Sequence, residues 1–405
     1  MNEQTGQSRN RRLFLKEAAA LAGLGSASAI LPVHGAGATR PLKVGLMMPY
    51  SGTYAQLGVA MTNGFKLALE EQGAALAGVT VDYAVLDDES QPAKAVENAS
   101  KLINRDNIDV LVGTAHSGVA LGMAKVARDT GVLWLIPLAT ADELTGPLCA
   151  SNIFRTSVSG WQSHYPLGKV LRKSGHRTAV FITWKYAAGE QMLAGFKEGF
   201  EKEGGQLVKK LFLPFPQVEF QAVLTEIASL RPDAVVAFFG GAAASKFLKD
   251  YRAAGLKDKI PLYGSGFLTE GVLGAADGAA EGLETTLNYA DGLTIAKDHS
   301  FRLAYARTFK AQPDLFAVQG YDAGQLLAAG LSGVKGDLEN KAGIISAMET
   351  ARIDSPRGVF TMSSAHNPIQ DIYLRRVVGK ENRVVEVVAK ALADPARGCR
   401  LQERA

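Results

Sequence analysis

Residues 108–143 read IDVLV, GTAHSG, VALGMAKVARDTG, VLWLI, PLATADE. Two short apolar runs, Ile108–Val112 and Val132–Ile136, flank a helical segment, and each run ends in a turn of small and hydroxyl residues. A strand, a helix and a second strand of this kind form a parallel pair covered on both faces. Ligands of such sheets collect at the carboxyl ends of the strands, where helix amino termini offer free N–H groups. Ser117 and Thr140 both fall at helix starts there. Thr140 with Glu143 three residues on fits a capping box worth about 1 kcal/mol. The alternative to a plain cap combines both turns: adjacent parallel strands would place two hydroxyls and several N–H groups around one crevice, a neutral site for an anion, and spacing alone favours the cap.

The same pattern extends in both directions. Apolar runs recur at Leu42–Met48 and Val79–Leu86 before this stretch, and at Thr178–Thr183, Gln206–Leu213, Ala234–Phe239 and Ile260–Tyr263 after it. Apolar residues at spacings of three and four, as in Gly64–Glu70 and Ala93–Ile103, mark the helices between them. Four strands, a pause over Leu148–Ser163 and four more strands predict an α/β chain of two doubly wound parallel-sheet lobes.

Composition narrows the function classes. The chain has 405 residues, 47% hydrophobic and 21% charged, the balance of a globular protein. Its formal net charge is +4 with no run of Lys or Arg, so nucleic acid is not an expected partner. No Cys/His cluster has metal-ligand spacing, and no cofactor is expected. The first turn lacks a Gly-x-Gly-x-x-Gly fingerprint, and neither a Gly-x-Ser-x-Gly elbow nor a phosphate loop occurs after residue 38. Ser117 has no evident His and Asp partners, so an enzyme is not expected.

An address label precedes the fold. Asn10-Arg11-Arg12-Leu13-Phe14-Leu15-Lys16 and the uncharged stretch Ala18–Leu31 lead to Ala36-Gly37-Ala38. This reads as a twin-arginine export signal over residues 1–38, too short to span a bilayer. An oxidising compartment permits a disulfide between Cys149 and Cys399, the chain's two cysteines. Two separate buried thiols are the alternative, and spacing does not choose between them.

Residues along the whole chain carry a resemblance. Met48-Pro49-Tyr50-Ser51-Gly52, Asp87-Asp88-Glu89-Ser90, Gly113–Ser117, Pro137–Thr145, Phe154-Arg155-Thr156, Tyr186-Ala187-Ala188-Gly189, Phe239-Gly240-Gly241, Gly264-Ser265-Gly266, Gly320-Tyr321-Asp322-Ala323 and Ser355-Pro356-Arg357-Gly358 follow one another in the order of a known family. The chain resembles the extracytoplasmic solute-binding proteins of branched-chain amino-acid type ABC importers, of the Leu/Ile/Val-binding kind. The resemblance implies a type I periplasmic binding fold, with lobes 39–157 plus 289–362 and 158–288 plus 363–405 joined by three hinge crossings and closing over a ligand. It further implies a periplasmic monomer, not membrane-spanning, that delivers a small molecule to a permease and ATPase complex.

Site residues carry over by position. Ser117 and Thr140 match hydroxyls that hold a ligand carboxylate, and Ala139 matches a carbonyl that helps hold an ammonium. Leu57, His116, Tyr186 and Phe316 match pocket walls, while Phe239, Phe267 and Trp161 are further candidate walls. A positive His116 would add a charge-assisted bond beside the clamp, whereas a packed histidine would not. Amino-acid binders place an acid where this chain has Gly266. Burying an ammonium without a counter-charge costs several kcal/mol, so the expected ligand is a small carboxylate, aromatic or otherwise not an amino acid. Tyr186–Gly189 and Ser355–Gly358 also resemble the aromatic-acid branch. The alternatives are an amino-acid binder and a ligand-sensing regulator on the same fold.

Overall fold

The computed structural model describes residues 40–401 except 74, 75 and 77; the proposed export signal lies outside the described residues. The chain forms β1 (Leu42–Met48), α1 (Ala55–Glu71), β2 (Val81–Asp87), α2 (Ala95–Ser100), β3 (Val110–Val112), α3 (Ser117–Thr130), β4 (Leu133–Ile136) and β5 (Ile153–Arg155). It continues through α4 (Gly160–Lys173), β6 (Thr178–Trp184), α5 (Ala187–Lys202), β7 (Gln206–Leu213), α6 (Gln221–Leu230), β8 (Ala234–Phe238), α7 (Ala242–Ala253), β9 (Leu262–Ser265) and β10 (Glu284–Leu287). Last come α8 (Ala296–Phe309), α9 (Leu315–Gly333), α10 (Lys341–Glu349), β11 (Arg352–Ile353), β12 (Phe360–Met362), β13 (Pro368–Val378) and β14 (Glu381–Leu392).

Two sheets result. The first runs β2-β1-β3-β4-β5, all parallel, and its order reverses between β1 and β3. The second runs β11-β12-β13-β10-β9-β8-β6-β7 with β14 on β13. Its β6 to β10 portion repeats the order of the first sheet. The antiparallel strands β11 to β14 extend what the alternation predicted as a purely parallel sheet. β5 also lies inside the stretch taken as a pause. Among the described residues no helix is long and apolar enough to cross a membrane.

The local chemistry accounts for the elements that position the site. Of β1 only Lys43 is exposed, as a strand with helices on both faces requires. Gly131, at φ 69°, ends α3 in the left-handed conformation that a residue without Cβ adopts at no cost. α4 opens on a capping box in which Ser159 and Gln162 satisfy each other's backbone N–H. α1 and α9 cross at near backbone contact: a Cβ on Gly64 would lie 1.9 Å from the Ala317 carbonyl oxygen, and one on Gly320 would lie 2.0 Å from that of Met61. That crossing fixes Phe316 at the start of α9.

Buried polar bonds tie three passages of the chain to one another. The Gln370 amide oxygen accepts from Asn288 Nδ2 (2.8 Å) and from Arg357, while its Nε2 donates to the Ser157 carbonyl (2.9 Å). Arg357 also donates to Asp322 Oδ2 (2.7 Å) and to the Thr156 carbonyl (3.0 Å). Residues 156–157, 288 and 357–370 come from three different passages of the chain. Arg357 belongs to the Ser355–Gly358 motif, whose place is therefore this junction. Cys149 and Cys399 are joined by a disulfide, with Cα atoms 5.6 Å apart.

Candidate functional site

A narrow cavity opens at the carboxyl ends of the strands of both sheets. Tyr54, Leu57, Ala115, Ser117, Leu138 and Thr140 line it from the first sheet; Tyr186, Ala188, Met192, Phe238, Gly240 and Phe267 line it from the second, and Phe316 from α9. No lining residue carries a charge. The wall is aromatic and aliphatic, with two aliphatic hydroxyls and two phenols as its polar side chains.

Ser117 is the first residue of α3, and its buried Oγ has no hydrogen-bond partner among the described residues. A buried hydroxyl left unpaired costs about 1–3 kcal/mol, so it is poised for a ligand atom. Thr140 lines the same cavity. It is not a helix cap: the short 3-10 turn Asp142–Leu144 starts after Ala141, and the Glu143 carboxylate is engaged by Gln191. The predicted capping box is absent because the turn begins one residue too late.

His116 is the cap of α3. Its Nδ1 accepts from the N–H groups of Gly118 (3.1 Å) and Val119 (3.3 Å), so the ring proton sits on Nε2. Burial pulls its pKa down to about 4. The ring is neutral, stacked on Tyr186 at 4.9 Å and edge-on to Phe215 at 4.7 Å, behind the lining rather than in it. Of the two readings left open for His116, the neutral packed ring is the one this geometry supports, and the residue lies off the cavity lining.

Four other expected site residues also lie off the cavity lining. Phe239 is core, packed edge-on against Trp184 and Phe220; its neighbour Phe238, the last residue of β8, is the one that faces the cavity. Trp161 lies on α4, stacked on Tyr165 with Nε1 donating to Glu198, away from the cavity. Ala139 is fully buried, with its N–H on the Thr114 carbonyl, and does not line the cavity. Gly266 also lies off the lining. A Cβ there would meet Arg375 Nη2 at 2.2 Å and Leu287 Cδ2 at 2.5 Å, so the position faces a buried guanidinium.

Leu57, Ser117, Thr140, Tyr186, Phe267 and Phe316 do come together around the cavity. Sequence reasoning missed Tyr54, Ala115, Leu138, Met192 and Gly240 as walls. Tyr54 is the most consequential of these, because its hydroxyl lies 3.0 Å from that of Tyr186 and joins the two sides. Its signal was available: it lies in the turn after β1, at the carboxyl edge where such sites gather.

Comparisons with known proteins bear on the family and the fold. The family model described as periplasmic binding protein matches residues 41–382. A Leu/Ile/Val-binding protein homolog from Brucella abortus is 25% identical over 346 residues, 83% of this chain and 87% of its own length. An ABC-transporter solute-binding protein from R. palustris, solved in complex with benzoate, is 48% identical, with a TM-score of 0.86 over 89% of this chain and 99% of that one. Another, from Rhodopseudomonas palustris BisB5 in complex with 3,4-dihydroxybenzoic acid, is 28% identical, with a TM-score of 0.82 over 88% and 99%.

Proposed function

The chain belongs to the periplasmic binding protein family and is a solute-binding component of an ABC transporter, and from that premise we propose that it captures a single-ring aromatic carboxylate. The family consists of transport components, not enzymes. In this reading the lobes 39–157 plus 289–362 and 158–288 plus 363–405 close over the ligand, and the protein, exported to the periplasm by its twin-arginine signal, delivers the acid to an importing permease as a monomer.

One observation carries the ligand class. Two hydroxyls, that of Thr140 and that of Ser117, whose buried Oγ has no hydrogen-bond partner among the described residues, face an otherwise aromatic and aliphatic cavity with no acidic side chain in its lining. The hydroxyls and the N-terminus of α3 suit a carboxylate, and Tyr186, Phe238, Phe267 and Phe316 suit a ring. An α-amino acid would bring an ammonium that nothing in the lining neutralises. The benzoate and dihydroxybenzoate complexes of the two relatives support the same class. Calorimetry with benzoate, phenylalanine and leucine tests the reading. Benzoate binds tightly and the two amino acids weakly; equal or tighter binding of either amino acid overturns it.

A further inference from the structure

Behind the Phe267 wall lies a buried ion pair that lines no part of the cavity. Arg375 on β13 and Glu270 meet at 2.8 Å, both buried. The remaining guanidinium donors go to Thr285 Oγ1 (3.2 Å), the Tyr289 carbonyl (2.8 Å), the Gly266 carbonyl (3.1 Å) and Thr269 Oγ1 (3.1 Å). The Gly266 carbonyl also accepts from the N–H groups of Thr269 and Glu270. The turn that presents Phe267 is thus held from within by Arg375.

The other Glu270 oxygen points elsewhere. Oε1 accepts the Leu315 N–H at 2.8 Å. Leu315 is the first residue of α9, the helix that packs along α1 and presents Phe316 to the cavity. Its N–H is one of the donors a helix cannot satisfy internally, and the helix dipole favours a carboxylate there. Asp314, the cap of α9, uses its own Oδ1 on Ala317. Glu270 is therefore the link between the segment carrying Phe267 and the helix carrying Phe316.

We propose that Glu270 is the latch of the cleft, a positioning residue that acts through Phe267 and Phe316 without touching the ligand; this rests on the proposed function. Arg375 anchors the carboxylate on the side of the second sheet, and the bond to Leu315 is made on closure and broken on release. The latch accordingly governs how slowly ligand leaves, while the hydroxyl clamp governs recognition.

Leu315→Pro removes the donor together with the packing of a buried side chain. Proline is tolerated at a first helical position, and Asp314 before it is already extended, at φ −119° and ψ −175°. Leu315→Ala keeps the N–H and loses side-chain packing, so the pair isolates the hydrogen bond. Stopped-flow fluorescence with benzoate reads both rates. Benzoate leaves the Pro variant about tenfold or more faster than the Ala variant, with unchanged association. Equal dissociation rates with normal parent binding overturn the latch alone; a parent that does not bind benzoate overturns the functional reading and the latch with it. Should circular dichroism show the Pro variant unfolded, Glu270→Met combined with Arg375→Met removes the acceptor without stranding a buried charge. Its dissociation rate is then compared with the parent's on the same criteria.

Discussion

The rings of Phe267 and Phe316 lie nearly parallel, with centroids 6.4 Å apart and planes 13° apart, although one belongs to the turn after β9 and the other to α9. Phe238 meets Phe267 edge-on at 6.0 Å and completes the aromatic surface. Such contacts are worth about 0.5–1.5 kcal/mol beyond area burial. In Phe316→Leu, the preference for benzoate over cyclohexanecarboxylate falls by roughly two- to tenfold, read by calorimetry on both acids.

Ser117→Ala and Thr140→Ala each weaken benzoate binding by about ten- to a hundredfold, because each removes a donor to a charged group. Thr140 caps no helix, so the melting temperature of the ligand-free Thr140→Ala protein stays close to the parent's. Measuring affinity and unfolding midpoint on the same samples checks both halves. Unchanged affinity in both variants removes the clamp.

How much of this was legible depended on where the deciding contact lies in the chain. The strand-and-turn alternation is local, so β1 and β7 were read with their bounds and Ser117 and Thr140 were placed on the cavity. Choosing Phe238 over Phe239 needs the direction of side chains at a strand end, which alternation within an all-apolar run does not encode. Gly266 was found by motif, but its neighbour Arg375 lies more than a hundred residues away, and only the fold brings the guanidinium into that space. Strand β14 carries several exposed valines and lacks the buried-run pattern of the parallel strands, and the apolar run of its partner β13 is interrupted by Asp371, Arg375 and Arg376, so the hairpin is not legible as a pair of core strands.

Asp88 gives a pH signature. It is fully buried, accepts from Thr114 Oγ1 and from the Ser90 N–H, and burial pushes its carboxyl from an ordinary 3.8 up to about 6. Between those values the folded chain holds a proton that the unfolded chain releases. This contribution to stability is present below about pH 4 and is lost as the pH rises through 6. Asp88→Asn does not titrate there. Urea unfolding at several pH values shows Asp88→Asn gaining on the parent between pH 4 and 7, by up to about 3 kcal/mol for a shift of about two units.

Cys149 and Cys399 close a loop with a sequence separation of 250 residues. Replacing both by Ser lowers stability by about 2–5 kcal/mol, chiefly by releasing the unfolded chain. The check is a urea midpoint for parent and variant in non-reducing buffer, and the parent with reductant added moves toward the variant.

The same bond has a practical side. The sequence holds two cysteines and both are spent on each other, which leaves the folded protein without a reactive thiol of its own. A single cysteine engineered on the rim near the phenol pair Tyr54–Tyr186 can be coupled to an environment-sensitive dye at one defined point, turning the receptor into an optical sensor for its acid.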